Sequence, residues 1–345
     1  MSHARHAALP HFPPEIPFLP PRPIKRRRML TAATSVRYPR TMLGTCVVPW
    51  RDDATCDEPL FRRTIRHAAQ NLTPHLYLFG TAGEGHAVTD RQFAAVTRAF
   101  VDEMRAVGGA PMVGIISLSL GTIIERIEFA RGLGVREFQI SLPAWGALAE
   151  TELDLFFDET CGRFPDARFL HYNLGRARRV LTGTDYQRLA ARHLNLAAIK
   201  MGGDIAALRE VALAVPALRC FFTEFGYAAL CDETRCGLLC ALSVCESSLA
   251  PRLFAADAAA RAVLEPAFRA LHAAVTGALA GGNYMDGAYD KMYVKRHFPE
   301  FPLRLLPPYR GATEAQFAQF LTACDAALSA PSAPVSPAAC HADLS

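Results

Sequence analysis

Eight short apolar runs recur along the chain at intervals of 20 to 37 residues, and that rhythm constrains the fold more than any other feature. They are TMLGTCVVPW (41–50), LYLFG (76–80), PMVGIIS (111–117), EFQISLP (137–143), RFLHYN (168–173), LAAIK (196–200), RCFFTE (219–224) and GLLCALS (237–243). They are apolar on both faces, as parallel strands are when buried between a barrel interior and its helices. Helical patterns with start and stop signals lie between most of them. Thr89 and Gln92 form a capping box before FAAVTRAFVDEM. Asp204 is placed to cap IAALREVALAV, with Pro216 just beyond its end. GTIIERIEFARGLG closes on Gly132 and Gly134, as helix C-termini do. The sequence therefore predicts an α/β protein, a (β/α)8 TIM barrel over residues 41–250. AADAAARAVLEPAFRALHAAVTGAL and the stretch around TEAQFAQFLTACDAAL predict additional C-terminal helices over 251–327 rather than a second α/β domain.

Both ends read differently. Residues 1–40 hold eight prolines and the run KRRR, with Glu15 the only acid. That composition does not build a core and is expected to be a disordered Pro/Arg-rich segment, with Met29 a candidate initiator. Residues 328–345 are expected to be a flexible tail.

The net charge of +4 is concentrated in the first forty residues, so a nucleic-acid partner is not expected; a role through KRRR would rest on that tail alone. No stretch reaches the ~18 to 20 consecutive apolar residues of a membrane span. The ten cysteines show no CxxC pair, and the densest group, Cys231, Cys236, Cys240 and Cys245, is spaced unlike a zinc site. They read as small core residues of a protein in a reducing, cytoplasmic compartment, and no metal is expected.

Lysine usage is the sharpest local signal. Of 37 basic residues only Lys25, Lys200, Lys291 and Lys295 are lysines. Arginine serves any demand for simple charge, whereas lysine alone can lose a proton and attack a carbonyl. Taken by itself, Lys200 at the end of LAAIK is either a snorkelling cation or such a nucleophile. Two other strand ends join it at the C-terminal face where barrel active sites lie, GTAGEGH after the second run and HYN in the fifth. A lysine there is partly desolvated, which favours the neutral amine, and condensation with a ketone gives an iminium able to accept electrons from a breaking C–C bond. Gly80 and Gly83 would let backbone N–H groups approach a carboxylate.

GTAGE before a T-D helix start, YN with a short basic loop, and IKxxxGD resemble the dihydrodipicolinate synthase/N-acetylneuraminate lyase family. The likeness runs over about residues 41–325 and includes RLLPPY. It implies a (β/α)8 barrel with C-terminal helices, commonly a homotetramer, otherwise a dimer. It also implies a class I aldolase or lyase that needs no cofactor beyond the covalent imine. By motif, Lys200 is the Schiff-base lysine and Tyr172 the proton-relaying hydroxyl. Thr81 belongs to the loop that holds a 2-oxo acid carboxylate and couples to the tyrosine, with Gly80, Ala82, Gly83 and Glu84 in the same loop.

Three departures bear on the substrate. Ala82 stands where the family's GTTGE has a second hydroxyl. YNLGRA replaces YNxPxR, putting Gly175 at the proline and Ala177 at the arginine, with Arg176 and Arg178 beside the gap. LPAW puts Trp145 where the synthases carry a tyrosine that reaches a neighbouring subunit's site, and an indole cannot relay a proton. These argue against true dihydrodipicolinate synthase activity. Glu224 adds a carboxylate at the seventh strand end, to bind substrate hydroxyls, to act as a base, or to pair with a loop arginine. His171 is expected to face the helices, away from Tyr172, and His86 is left open. The expected function is a Schiff-base aldolase or lyase acting on pyruvate or another 2-oxo acid, with an aldehyde as second substrate or product. The alternatives are a catalytically degenerate 2-oxo acid-binding barrel and a sugar-acid dehydratase of the same family.

Overall fold

The computed structural model describes residues 36–329; the KRRR run, Lys25, Met29 and the final residues lie outside the described residues. Eight parallel strands close into a barrel in sequence order: β1 (Met42–Thr45), β2 (His75–Leu78), β3 (Ala110–Ile115), β4 (Glu137–Ile140), β5 (Arg168–Asn173), β6 (Leu196–Met201), β7 (Arg219–Phe222) and β8 (Gly237–Cys240). All eight fall within the apolar runs or one residue beyond them. The runs overshoot where their last residues leave the sheet to build the loops of the C-terminal face, so the predicted (β/α)8 barrel is the observed fold.

The surrounding helices are α1 (Glu58–Asn71), α2 (Asp90–Ala106), α3 (Leu120–Gly132), α4 (Glu150–Phe157), α5 (Gly183–Arg192), α6 (Ile205–Ala214) and α7 (Glu224–Leu230). Their ends follow local chemistry. The Thr89–Gln92 capping box is formed in both directions at the start of α2, with distances of 2.9 and 3.2 Å. Asp204 Oδ1 accepts from the amides of Ala206 and Ala207 at the start of α6. Gly134, just past α3, adopts φ +92°, a conformation that glycine takes without a Cβ penalty. The chain continues into α8 (Leu249–Ala255), α9 (Ala258–Ala278), α10 (Asp286–His297) and α11 (Glu314–Ser329). No helix among the described residues is long and apolar enough to cross a membrane.

The strands bury both faces. Outward residues such as Phe138, Phe169 and Ile199 pack under the helices in the main core. Inward residues Leu43, Met112, Leu170, Ala198, Phe221 and Leu239, with Tyr38 from the segment before β1, fill the barrel's interior. Tyr38 Oη donates to Glu137 Oε2 at 2.6 Å and helps close the N-terminal end. One inward step above Leu43, Leu170 and Ala198 stand Thr45, Tyr172 and Lys200, because successive strand residues alternate sides. The barrel thus changes from apolar to polar within a single layer.

Candidate active site

The β5–β6 register sets Tyr172 beside Lys200, and the β6–β7 register sets Lys200 beside Phe221. Lys200 is buried, 5% exposed. Its Nζ donates to Tyr77 Oη at 3.0 Å and lies 3.9 Å from the centre of the Tyr172 ring. Burial lowers the Lys200 pKa to about 8, against the opposing pull of Asp286 and Asp290. Burial pushes the Tyr172 hydroxyl up to about 12; Asp286 adds to this and a hydrogen bond with Thr81 opposes it. Tyr77 is raised well above the ordinary phenol, again chiefly by burial. The structure therefore brings Lys200, Tyr172 and Thr81 together and adds Tyr77 to them.

The GTAGEG loop wraps beside this cluster. A Cβ on Gly80 would come within 2.5 Å of the Tyr77 ring and 3.5 Å of Lys200 Nζ, so the Tyr77–Lys200 contact itself requires glycine there. Gly83 is equally confined, by backbone atoms of Cys46 and Phe79 at 2.9 Å. Phe79 and Glu84, flanking the loop, both adopt φ near +60°, a strained conformation for bulky residues that persists only where surrounding contacts impose it. Thr81 and Ala82 are buried, and the Ala82 carbonyl packs against α10 at Gly287.

Three expected substrate contacts stand differently from the expectation. Glu84 is 2% exposed and its oxygens are already engaged by Lys291 Nζ at 2.8 Å, Trp50 Nε1 at 2.9 Å and the Leu306 amide at 2.6 Å. Lys291 is fully buried and also donates to the Arg304 carbonyl. Glu84 therefore clamps the loop to α10 and to the 303–306 segment instead of facing substrate. Glu224 opens α7 rather than projecting freely at the mouth. It is 1% exposed, and its Oε1 accepts from the Ala241 amide and from the amide and hydroxyl of Ser243 at 2.7 to 2.9 Å, while its buried Oε2 has no hydrogen-bond partner and neither oxygen an arginine partner among the described residues. Trp145 is 86% exposed and borders neither of the two cavities beside α10 described below.

Tyr77 and α10 are the residues that sequence reasoning missed. From α10 come Asp286, whose Oδ1 lies 2.9 Å from the Arg176 guanidinium, and the buried Asp290. Arg176 returns a cation to the mouth although Ala177 occupies the family's arginine position. His171 faces outward as expected, its Nδ1 2.7 Å from Tyr186 Oη of α5, and burial lowers its pKa to about 3. His86 packs edge-on against Tyr309 at 5.0 Å.

Two cavities flank the segment that leads into α10. One of about 310 Å³ is bordered by Thr81, His86, Ser141, Arg176 and Met285. The other, of about 620 Å³, lies between the β7 and β8 ends and α9, bordered by Thr223, Glu224, His272, Tyr289 and Tyr293. Among the described residues no cluster of three metal-ligating side chains occurs.

A closed barrel with a buried, desolvated lysine at the end of β6 and tyrosines on two other strands has the fold of the dihydrodipicolinate synthases and N-acetylneuraminate lyases. Among solved structures, the chain is similar to YagE of E. coli K12, a prophage protein of the dihydrodipicolinic acid synthase family in complex with pyruvate. That match has a TM-score of 0.74 and 16% identity over 84% of this chain and 98% of that one. It is also similar to the N-acetylneuraminate lyase of Proteus mirabilis, with a TM-score of 0.72 and 17% identity over 84% and 98% of the two chains. The 4-hydroxy-tetrahydrodipicolinate synthase of Methylacidiphilum fumariolicum SolV matches at a TM-score of 0.66 and 16% identity over 84% and 96%. No protein-family profile matches the chain, and no curated protein sequence matches it.

Proposed function

We propose that this chain is a divergent member of the dihydrodipicolinate synthase/N-acetylneuraminate lyase family and acts as a class I aldolase or lyase on pyruvate or another 2-oxo acid. The observation that carries the reading is Lys200, buried, hydrogen-bonded to Tyr77 and under the Tyr172 ring, with its pKa lowered to about 8. The neutral amine attacks the ketone carbon of the 2-oxo acid; the carbinolamine loses water, and the resulting iminium stabilises an adjacent carbanion as an enamine. Tyr172, coupled to Thr81, moves the proton between the amine and the departing hydroxyl. Arg176, at the rim of the smaller cavity, supplies the positive charge for the substrate carboxylate, beside the loop amides of residues 80–83.

The departures at Ala82, Gly175, Ala177 and Trp145 favour a substrate other than that of the synthases. The exposed Trp145 ring is the specific observation behind two further elements of this reading. It fits contact with a second copy of the chain in a dimer or tetramer, and it keeps alive a barrel that binds 2-oxo acids without turnover. Dehydration of a sugar-derived 2-oxo acid uses the same imine and remains within the proposal.

The test is incubation with pyruvate and borohydride, followed by mass analysis of the peptide containing Lys200. An adduct on Lys200 is expected. Absence of any adduct across a panel of 2-oxo acids removes the Schiff-base premise, and an adduct without turnover of any aldehyde partner selects the binding barrel.

A further inference from the structure

Glu224 is half satisfied. Three donors converge on its Oε1: the Ala241 amide at 2.8 Å, the Ser243 amide at 2.9 Å and the Ser243 hydroxyl at 2.7 Å. They fix the side chain, 1% exposed, against the loop after β8. Its Oε2 is buried as well and has no hydrogen-bond partner among the described residues. Buried polar atoms are normally paired, and a bare carboxylate oxygen is costly, so a carboxylate held firmly by one oxygen with the other free calls for a donor from outside the chain.

Glu224 borders the cavity of about 620 Å³ beside α9, a volume within the range of about 300–1,000 Å³ typical of small-molecule sites. No lysine, arginine or second carboxylate borders this cavity among the described residues. Arg269, whose guanidinium lies 5.8 Å from the Phe225 ring, is paired with Glu265 at 2.8 Å. Aromatic rings form part of the wall: Phe225, Tyr284, and Tyr289 and Tyr293 of α10, whose centres lie 6.0 Å apart. Val275 and Leu279 of α9 add aliphatic surface. Two hydroxyls on the border are already spent, since Thr276 Oγ1 donates to the His272 carbonyl at 2.9 Å and Tyr284 Oη pairs with the Gln316 side chain at 3.0 Å.

We infer that this cavity binds a small primary amine, its ammonium donating to Glu224 Oε2 and its apolar body lying against the tyrosines of α10 and the aliphatic side of α9. An ammonium supplies the missing N–H donor, a charge-assisted bond to the carboxylate, and a cation for the aromatic faces. Other ligand classes fit less well. A polyol would carry hydroxyls past groups that already have partners and leave them unpaired. An amino acid would bring a carboxylate that meets no cation on the border. A metal ion would find no set of three ligating side chains among the described residues. The site is additional to the one at Lys200, and the inference holds whether or not Lys200 forms an imine.

The probes are benzylamine, its uncharged counterpart benzyl alcohol, and xylitol, each titrated by calorimetry into the full chain at neutral pH with no 2-oxo acid present. Benzylamine is expected to bind once per chain, about 10-fold or more tighter than benzyl alcohol. Glu224→Gln keeps an acceptor for the β8 loop and removes the charge. Its affinity for benzylamine is expected to fall by about 10-fold or more while that for benzyl alcohol stays within a few-fold, a split that loss of structure would not produce. Thr276→Trp, at an exposed position of α9, fills the cavity and is expected to abolish binding of both; it decides the matter if Glu224→Gln does not fold. Equal affinity for amine and alcohol overturns the inference, as does undiminished benzylamine binding in either variant. Tighter binding of xylitol would make the cavity a polyol site, and no binding of benzylamine would leave Glu224 Oε2 to water; both overturn it.

Discussion

The pH dependence of imine formation tests the site at its centre. Lys200 loses hydration on burial beside the Tyr77 hydroxyl and the Tyr77 and Tyr172 ring faces, which lowers its pKa from 10.5 to about 8 against the opposing charges of Asp286 and Asp290. At pH 7 a pKa of about 8 leaves about 9% of the amine neutral, against about 0.03% for an ordinary lysine, a gain of about 300-fold in nucleophile. The trapping rate with pyruvate and cyanoborohydride, read by mass spectrometry between pH 6 and 10, is expected to rise about tenfold per pH unit and to level near pH 8. Asp286→Asn removes a charge that holds the lysine protonated and frees Arg176, so the break is expected to move to lower pH. A break above pH 10 in the wild type, or none at all, would refute the claim that burial arms this amine.

Other perturbations follow from the same geometry. Lys200→Met is expected to abolish trapping yet raise thermal stability. The folded pKa lies below the unfolded one, so the lysine costs stability below about pH 8, and the cost is relieved between about pH 8 and 10.5; at pH 7 it is on the order of 3 kcal/mol. Tyr172→Phe is expected to slow imine formation by about 100-fold in the same trapping assay while leaving the fold intact. Gly80→Ala drives a Cβ to 2.5 Å from the Tyr77 ring and is expected to cost about 1–3 kcal/mol in denaturant unfolding, with slower trapping as Tyr77 is displaced from Lys200. Lys291→Met strands the buried Glu84 carboxylate and is expected to cost about 3–5 kcal/mol, part of it recovered in the double variant with Glu84→Gln.

The barrel was legible because each strand is an apolar run and helices such as α2, α3 and α6 carry their own punctuation, signals that need no tertiary context. Lys200 and Tyr172 were legible for a related reason, since a lysine or tyrosine ending an apolar strand has only the barrel mouth to point into. Tyr77 was not, because a tyrosine inside LYLFG reads as core until Gly80 is seen to leave room for its ring. Glu84 and Glu224 look like open carboxylates in sequence, where nothing records that Lys291, Trp50 and the Leu306 amide will consume the oxygens of Glu84 and the β8 loop one oxygen of Glu224. α10 was hidden by its own polarity. DGAYDKMYVKRH buries Asp290, Lys291 and Lys295 on a helix that has no apolar stripe to announce it. The scarcity of lysine nevertheless held more than one reading of it. Lys200, Lys291 and Lys295 are all buried, so every lysine among the described residues lies inside, where a compact ammonium donates to carbonyls or carboxylates, or sheds its proton.

The pinning of α10 over the barrel also has a consequence in time. A chain that has emerged only as far as Ala255 contains all eight strands, but lacks α10 and with it Asp286 and Asp290, whose charges act on Lys200. In such a chain the mouth above β6 is expected to admit water to the amine and keep it protonated, the loss of burial outweighing the loss of the Asp286 and Asp290 charges. At about 5–20 residues per second, the ninety residues between Lys200 and Asp290 take roughly 5 to 20 s to make. Reactivity is thus withheld during synthesis and conferred when the helix docks. A fragment ending at Ala255 should accordingly trap pyruvate no faster than free lysine.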